Sequence, residues 1–385
     1  MLLLTAGMGL QAPAMAGDWS AKLRFNQTLE SSDNRALQPD SAGETYLSIS
    51  RLRLDTLTVM PTSSFEFNAD VSYQNLSGPG SDQNTSPTDN TLTFKYGERI
   101  SPLTAYTLTG FWQRRDATTA QLADTGIVIV DGDINTFMGE AGITHKLSTY
   151  DEVNWTTRGT LVDFTKAQGT SFTDVMTTGS WIRNPTTLTK LVTSLQFEML
   201  EQEQPSGTQA LIGRFQTGME TQISQQLSFN GTIGVSVQNT RQDSNAAGTA
   251  PSSSKTNVDG LADFQMVYLP TPLSQLTLSA SHWTGPNVLG QIESRTLVGA
   301  AFRQSINSLS NITFKTEYTG QIPALGIFDD GDTSYWRAYV DYDYRLTPEW
   351  VALVSYKFAH RDDDLAAANS NTVYVSAVYE TTILP

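Results

Sequence analysis

Apolar residues occupy every second position along most of the chain from residue 19 onwards. Trp19, Ala21, Leu23 and Phe25 form the first such row, and the stretch from Leu227 to Val237 repeats the pattern. A period of two is the signature of β-strands, whereas a helix would repeat its apolar positions every three to four residues. Counted in this way, the chain predicts eighteen strands of about 10 to 14 residues, or 16 or 20 if one hairpin is merged or split.

The connections between these segments alternate strictly between short and long. The eight short ones lie near 60–64, 101–104, 148–152, 184–187, 224–226, 270–274, 306–310 and 346–349. The nine long ones lie near 30–44, 77–90, 116–133, 163–171, 200–208, 240–256, 284–291, 320–333 and 360–371. Short periplasmic turns and longer extracellular loops are typical of a bacterial outer-membrane barrel, so an all-β, antiparallel, up-and-down transmembrane barrel is predicted.

A soluble β-sandwich or propeller is the alternative architecture. Its strands would be shorter, near 5 to 6 residues, and its connections would not need to alternate in length. It would also bury its apolar faces, whereas many aromatic residues here sit on the apolar rows near strand ends, where a barrel needs interfacial girdles. These are Trp112, Trp155, Trp181, Trp336, Trp350, Tyr106, Tyr268, Tyr356 and Tyr379.

Two carboxy-terminal segments, 341–364 and 369–379, carry a resemblance to a known family. The first contains a tight Leu346-Thr-Pro-Glu349 turn between alternating strands, and the second contains the alternating strand Val373-Tyr-Val-Ser-Ala-Val-Tyr379. The mature chain resembles outer-membrane β-barrel porins, including those associated with exopolysaccharide export. The resemblance implies residence in the bacterial outer membrane and a channel function.

The amino terminus predicts export from the cytoplasm. Residues 1–10 are mostly apolar, and Ala14-Met15-Ala16 has the small-x-small form that precedes a signal-peptidase cut. We therefore expect a signal peptide over residues 1–16, with 17–385 forming a single barrel domain.

Composition removes several classes of function. The formal net charge of −15 disfavours nucleic acid as a partner, because phosphate binding needs a surplus of Lys and Arg. The chain has no Cys and three His, it lacks a Gly-x-Ser-x-Gly nucleophile motif, and no cofactor is predicted. Neither catalysis nor a firm metal site is expected; Asp329, Asp330 and Asp332 form only a weak Ca²⁺ candidate.

If the apolar rows face lipid, the opposite positions line a water-filled lumen, because a barrel of this size encloses a channel. The predicted pore-lining residues are Arg24, Arg51, Arg53, Glu66, Asp70, Arg115, Arg158, Arg214, Asp259, Asp263, Arg295, Arg337 and Lys357. Bases concentrate on strands 14 to 18, 1 and 2, and acids on strands 6 to 13. Opposed basic and acidic walls would produce an electric field across the lumen. Alternatively, the acidic side chains merely neutralise neighbouring basic ones.

The sequence leaves two functions open. The first is passive passage of small hydrophilic solutes, or export of a polysaccharide, through the charged lumen. The second is a non-conducting barrel that sheathes or anchors a periplasmic or electron-carrying partner. Lipopolysaccharide is an expected neighbour in either case, and assembly with further copies is an open alternative. The nine long loops together carry −15, so an acidic extracellular rim is predicted.

Overall fold

The computed structural model describes residues 17–41, 43–79, 89–124, 132–165, 170–202, 207–242, 253–323, 333–362 and 366–384. The predicted signal peptide and the Ca²⁺ candidate Asp329, Asp330 and Asp332 lie outside these ranges.

The strands are β1 (Asp18–Ser32), β2 (Thr45–Val59), β3 (Ser63–Ser77), β4 (Asn90–Arg99), β5 (Thr104–Asp116), β6 (Asp133–Lys146), β7 (Asp151–Phe164), β8 (Phe172–Arg183), β9 (Thr189–Gln202), β10 (Thr208–Gln222), β11 (Leu227–Gln242), β12 (Ser253–Thr271), β13 (Ser274–Pro286), β14 (Ile292–Ser305), β15 (Ser310–Pro323), β16 (Thr333–Arg345), β17 (Trp350–Asp362) and β18 (Ala367–Leu384).

Each strand pairs antiparallel with its neighbour in sequence, and β1 pairs with both β2 and β18. The sheet is therefore a closed barrel of eighteen strands, which confirms the predicted architecture. Several strands run further than the alternation indicated, up to 19 residues in β12. One consequence is that His360, predicted to open a loop, lies inside β17 opposite Trp336 and Asn369.

The eight short connections match their predicted positions and all lie at one end of the barrel. They are closed by side chains that accept hydrogen bonds from the turn backbone: Ser224 Oγ accepts from Gln226 N and Leu227 N, and Thr347 Oγ1 accepts from Trp350 N. Such local bonds satisfy backbone donors that a tight turn leaves unpaired. The long connections leave from the opposite, extracellular end.

The outward-facing positions form an apolar surface. Large apolar side chains such as Phe94, Phe197 and Val235 lie exposed there, and the nine predicted girdle aromatics share this face. Trp350 packs on Tyr379, with ring centroids 5.0 Å apart. A surface of this kind needs lipid around it. Among the described residues, no helix has the length and apolarity to cross a bilayer.

Within the described ranges, the interior contains one helix that the alternation did not predict. Helix α1 (Ala117–Asp124) follows β5, and Asp116 caps it by accepting hydrogen bonds from Thr119 N and Thr119 Oγ1 at 2.9 and 2.8 Å. An Asp at this position satisfies the free backbone N–H groups of the first turn. Its buried Ala117 and Ala120 pack against the inner wall over β6 to β10.

Candidate functional site

All thirteen predicted pore-lining residues lie on inward-facing positions of the barrel. The register pairs them with other inward side chains, as in Arg24 opposite Arg53, Glu140 opposite Arg158, and Glu317 opposite Arg337. They differ in exposure. The arginines of β1 and β2 border open space inside the barrel, whereas Arg214 and Arg295 are buried beneath segments that fold in from the extracellular end.

The open side carries half-exposed arginines on β1 and β2. The side chains of Arg24, Arg51 and Arg53 are 44, 42 and 42% exposed although they point into the barrel. Inward side chains reach this exposure only where the lumen is wide and accessible to water. Each arginine has an acidic neighbour: Glu380 at 2.5 Å, Asp70 at 3.2 Å and Asp55 at 2.8 Å, respectively. Lys95 lies 3.8 Å from Glu66 on the adjoining strands.

The same side continues over β15 to β18 as a cluster of cations and tyrosines. The Tyr339 ring lies between two ammonium groups, with Lys315 Nζ 5.6 Å and Lys357 Nζ 5.9 Å from its centroid. The Arg337 guanidinium lies 4.9 Å from the Tyr335 ring centroid. Glu317 approaches Lys315 at 2.8 Å and Arg337 at 3.4 Å. The cluster therefore joins positive charge to aromatic faces along one wall.

The loop between β1 and β2 folds into the mouth above this cluster. Leu37 is 2% exposed and packs with Tyr335, Ala359 and Ala368. Its φ of 51° lies in the left-handed region, which is unfavourable for a non-glycine residue, so packing must hold it there. The neighbouring Arg35 donates from Nη2 to Thr119 Oγ1 at 3.2 Å. This bond joins the first loop to α1 and narrows the extracellular end.

The carboxylate of Asp89 holds the start of α1, and two arginines lie close enough to influence it. Asp89, which precedes β4, accepts a hydrogen bond from Asp116 N at 3.2 Å. Burial raises the pKa of Asp89, and this rise is opposed by the bond from Asp116 and by the positive charges of Arg115 and Arg51. Arg115 and Arg51, two of the predicted pore-lining residues, thus favour the charged form of the carboxylate that holds the start of α1.

The closed side lies over β8 to β14. Here Arg214 is bonded to Glu198, with side chains only 9 and 4% exposed, and Arg295 is paired with Glu293 at 2.5 Å. Arg158 lies 3.8 Å from Asp174. The cover is the tip of the β13–β14 hairpin: Leu289 is buried against Phe172, Leu200, Ala210 and Ile212 across the lumen. Arg214 Nη2 also donates to the carbonyl of Thr284 at 2.6 Å, tying the tip to the wall.

The hairpin reaches this position by leaving the sheet. The ladder between β12 and β13 ends at the pair Ala262 and His282, while β13 continues to pair with β14 up to Pro286. Asp259 fills the opening: its carboxylate accepts from Thr284 Oγ1 and from Ser294 Oγ at 2.6 Å, and lies 3.2 Å from His282 Nε2. Asp259 therefore lies on the inner face of β12, against the back of the hairpin and away from the open side.

The predictions from sequence omitted the aromatic part of the lumen. Tyr335, Tyr339 and Tyr374 stand on the inward positions of β16 and β18, between polar neighbours such as Arg337 and Thr372. Their place on the polar positions of the strands indicates that they face the lumen, whereas the predicted pore-lining residues are all charged. Arg35 was also missed, because strand alternation does not extend into a loop. Within the described ranges, no group of three or more His, Asp or Glu side chains is arranged to hold a metal.

Comparison with known proteins gives a match to fold alone. No protein-family model matches the chain, and no curated protein matches its sequence. Solved structures do match: OpdK, an outer-membrane protein from Pseudomonas aeruginosa, has a TM-score of 0.53 at 10% identity, covering 95% of this chain and 99% of that one. OccK2 (OpdF) from the same organism has a TM-score of 0.52 at 12% identity, covering 95% and 98%.

Two further matches are complexes of these proteins with small molecules. OccK2 is seen with glucuronate and OpdK with vanillate, each at 11% identity and a TM-score of 0.51. The shared feature is the fold of an outer-membrane porin. With its apolar exterior and aromatic girdles, the chain is an eighteen-stranded β-barrel of the bacterial outer membrane.

Proposed function

We propose that the protein is a passive channel for small hydrophilic solutes, with a preference for those that carry a carboxylate. The observation that supports this most directly is the open, basic side of the lumen, where Arg24, Arg51 and Arg53 stay half exposed to water. A diffusing anion would meet these groups without first displacing a buried layer of protein.

The ion pairs on this side suit repeated, weak binding. Half-exposed pairs contribute only about 0 to 1 kcal/mol each, because water screens them. A solute carboxylate can therefore exchange with Glu380, Asp70 or Asp55 on the guanidinium groups at little cost. Weak sites in series favour permeation, since binding must permit entry without preventing exit.

The tyrosines add a second recognition element. A solute with a flat or ring-shaped body could lie against Tyr339 while its carboxylate meets Lys315 or Lys357. Glucuronate and vanillate, the ligands seen with the matching porins, both pair a ring with a carboxylate. The inward-folded loops favour solutes of this size over a polysaccharide, so export of a polymer is not part of the proposal.

The proposal is tested by conductance in planar bilayers. The double variant Arg51→Glu with Arg53→Glu should shift the reversal potential in a KCl gradient towards cation selectivity, because two half-exposed positive charges become negative. The variant with Lys at both positions keeps the charge and should retain the wild-type reversal potential. An unchanged potential in the Glu variant would refute a selective role for the pair, and absence of conductance steps in the wild type would favour the sheath or scaffold function instead.

A further inference from the structure

Three glycines stand side by side on the lipid-facing surface. Gly110 on β5 is the register partner of Gly139 on β6, and Gly139 is the partner of Gly159 on β7. Neighbouring strands lie about 4.8 Å apart, so the row extends roughly 10 Å across the outside of the barrel. Each glycine occupies an outward position, opposite in parity to the lumen-facing Glu140 and Arg158 of the same strands.

Nothing within the described part of the chain requires glycine at these positions. A Cβ added at Gly139 or Gly159 would meet no atom within 4 Å, and one at Gly110 would meet only Phe94 Cδ1 at 3.9 Å. None of the three has a positive φ. Glycine destabilises a strand, because it loses more conformational entropy on folding than other residues and has no side chain to pack. Three adjacent glycines therefore indicate that the empty space above them has a use.

The glycines form the floor of an apolar groove of about 600 Å³. Its flanks are large apolar side chains, chiefly Phe94, Trp112, Phe137 and Leu161. Gly110 lies midway along β5, four residues after Tyr106 and four residues before Arg114. Tyr106 belongs to the periplasmic girdle, where its hydroxyl donates to Glu98. Four residues span about 13 Å along a strand, which is roughly 10 Å along the membrane normal for a strand tilted by about 40°. The groove therefore lies near the middle of the apolar band, which is about 25 Å tall.

A cation stands above the groove at its extracellular end. Arg114 faces outward on the same strand as Gly110, and its side chain is 43% exposed. Asp133 binds Nε and Nη2 of this guanidinium at 3.2 and 2.5 Å, which fixes its orientation. In the described residues no group hydrogen-bonds Nη1, so its two N–H donors remain for an external anion.

An acyl chain fits this arrangement better than a second barrel does. In a two-fold dimer whose axis passes through the groove, the groove would face its own copy, concave against concave, and the space would stay empty. A lipid whose chain lies over the glycines would place its headgroup near Arg114, on the extracellular side. The outer leaflet of this membrane consists of lipopolysaccharide, whose lipid A combines acyl chains with phosphates.

We propose that the glycine groove (Gly110, Gly139, Gly159) is a binding site for one lipopolysaccharide molecule, with an acyl chain in the groove and a lipid A phosphate on Arg114. This site is independent of the proposed transport function, since it lies on the opposite face of the wall. The occupant is held by shape and by one charge-assisted contact.

The experiment is to purify the full chain from outer membranes in mild detergent and to measure retained lipid A per barrel by mass spectrometry. Gly139→Val with Gly159→Val fills the groove and should lower retention at least tenfold. Arg114→Gln should lower it at least threefold. Gly213→Val is the matched control, because it adds the same side chain at a lipid-facing glycine outside the groove, where a Cβ would lie 3.9 Å from Phe197. This control should retain wild-type amounts.

Folding is verified by the resistance of the unheated barrel to sodium dodecyl sulfate; if the Val pair does not fold, Ala at both positions replaces it, with a smaller loss expected. Equal retention in the groove and control variants would overturn the proposal. Retention of phospholipid alone would also overturn it. Finally, a change from oligomer to monomer in the groove variants, with lipid A unchanged, would assign the surface to a second copy of the chain.

Discussion

At the scale of single residues, burial decides what otherwise similar ion pairs do. Arg24 with Glu380 and Arg214 with Glu198 both join an arginine to a glutamate on neighbouring strands. The first pair is about two-fifths exposed and exchanges easily with water and solutes. The second lies beneath the hairpin tip, where the nearby carboxylate of Asp174 makes an unpaired charge still less tolerable. The same chemistry therefore leaves one pair in contact with water, as the proposed channel requires, and makes the other pair part of the buried structure.

This difference predicts unequal costs of removing the two arginines. Arg214→Ala should reduce the free energy of unfolding by about 3 to 5 kcal/mol, because it strands a buried carboxylate and frees the Thr284 carbonyl. Arg24→Ala should cost about 0 to 1 kcal/mol. Guanidinium unfolding in detergent, followed by Trp fluorescence, measures both. Adding Glu198→Gln to Arg214→Ala should recover part of the loss; similar midpoints for the two single variants would contradict this account.

At the scale of elements, the β13–β14 hairpin changes role along its length. Its periplasmic half is barrel wall, but beyond the pair Ala262 and His282 it departs from β12 and becomes an internal cover. The ladder bonds lost there are offset by Leu289 in its apolar cluster, by the contact from Arg214 and by the hydrogen bonds to Asp259. The width of the lumen thus depends on a docked segment and not on strand number alone.

Undocking that segment should widen the channel. Leu289→Asp places a charge in an apolar contact and should release the tip, which increases single-channel conductance or adds open-state noise. Leu346→Asp is the control, since Leu346 is 59% exposed in a periplasmic turn and should leave conductance unchanged. The same conductance in Leu289→Asp and wild type would show that the tip does not restrict the current.

The chain contains no cysteine, so a cross-link can test the docked position directly. Gln202 Nε2 lies 3.4 Å from the Leu289 carbonyl oxygen. This contact runs from the end of a side chain to a backbone carbonyl, so a direct disulfide between the two positions is too short. Gln202→Cys with Leu289→Cys should instead be bridged by a short bis-thiosulfonate reagent, and the bridged channel should conduct like the wild type. Loss of current on bridging, restored when a reductant cleaves the bridge, would mean that conduction requires the tip to move.

At the scale of the whole molecule, the barrel separates three environments: an apolar exterior, an inner wall of half-exposed ion pairs, and an inner wall of covered ion pairs and apolar side chains. The local pairing of most wall charges weakens the transverse field that the charge count alone suggested. What remains is a positive lining along the path that water can reach. Its influence on ions is screened over a Debye length of about 10 Å at 0.1 M salt and about 3 Å at 1 M.

Selectivity should therefore depend on ionic strength. Reversal potentials under a fixed tenfold KCl gradient should indicate anion preference when the mean concentration is near 0.1 M, and this preference should decline towards 1 M. The Glu variant at 51 and 53 should show the opposite sign with the same decline. A preference independent of salt would point to a narrow, dehydrated filter in place of a charged wall.

The sequence by itself determined the barrel, and the reason is local. A strand with one face in lipid and the other in water must alternate, as Leu227 to Val237 does, and the connections must be short at one end. The barrel and all eight turns follow from those constraints, and so does a count of eighteen strands once 16 and 20 are set aside by the observed pairing. The barrel and the turns themselves require no knowledge of contacts between distant segments.

Only the tertiary structure decided how the lumen is divided. Alternation states that Arg24 and Arg214 both face inward, but not that a hairpin tip from β13 and β14 covers one of them and leaves the other in water. Likewise, Arg35 meets Thr119 through the folding of two loops that carry no strand period, and three glycines become a groove only when register sets them side by side. Whether a side chain faces inward or outward is encoded by its neighbours in sequence. Which part of the lumen is covered, how wide the lumen is and which residues lie side by side are set by packing between segments far apart in the chain.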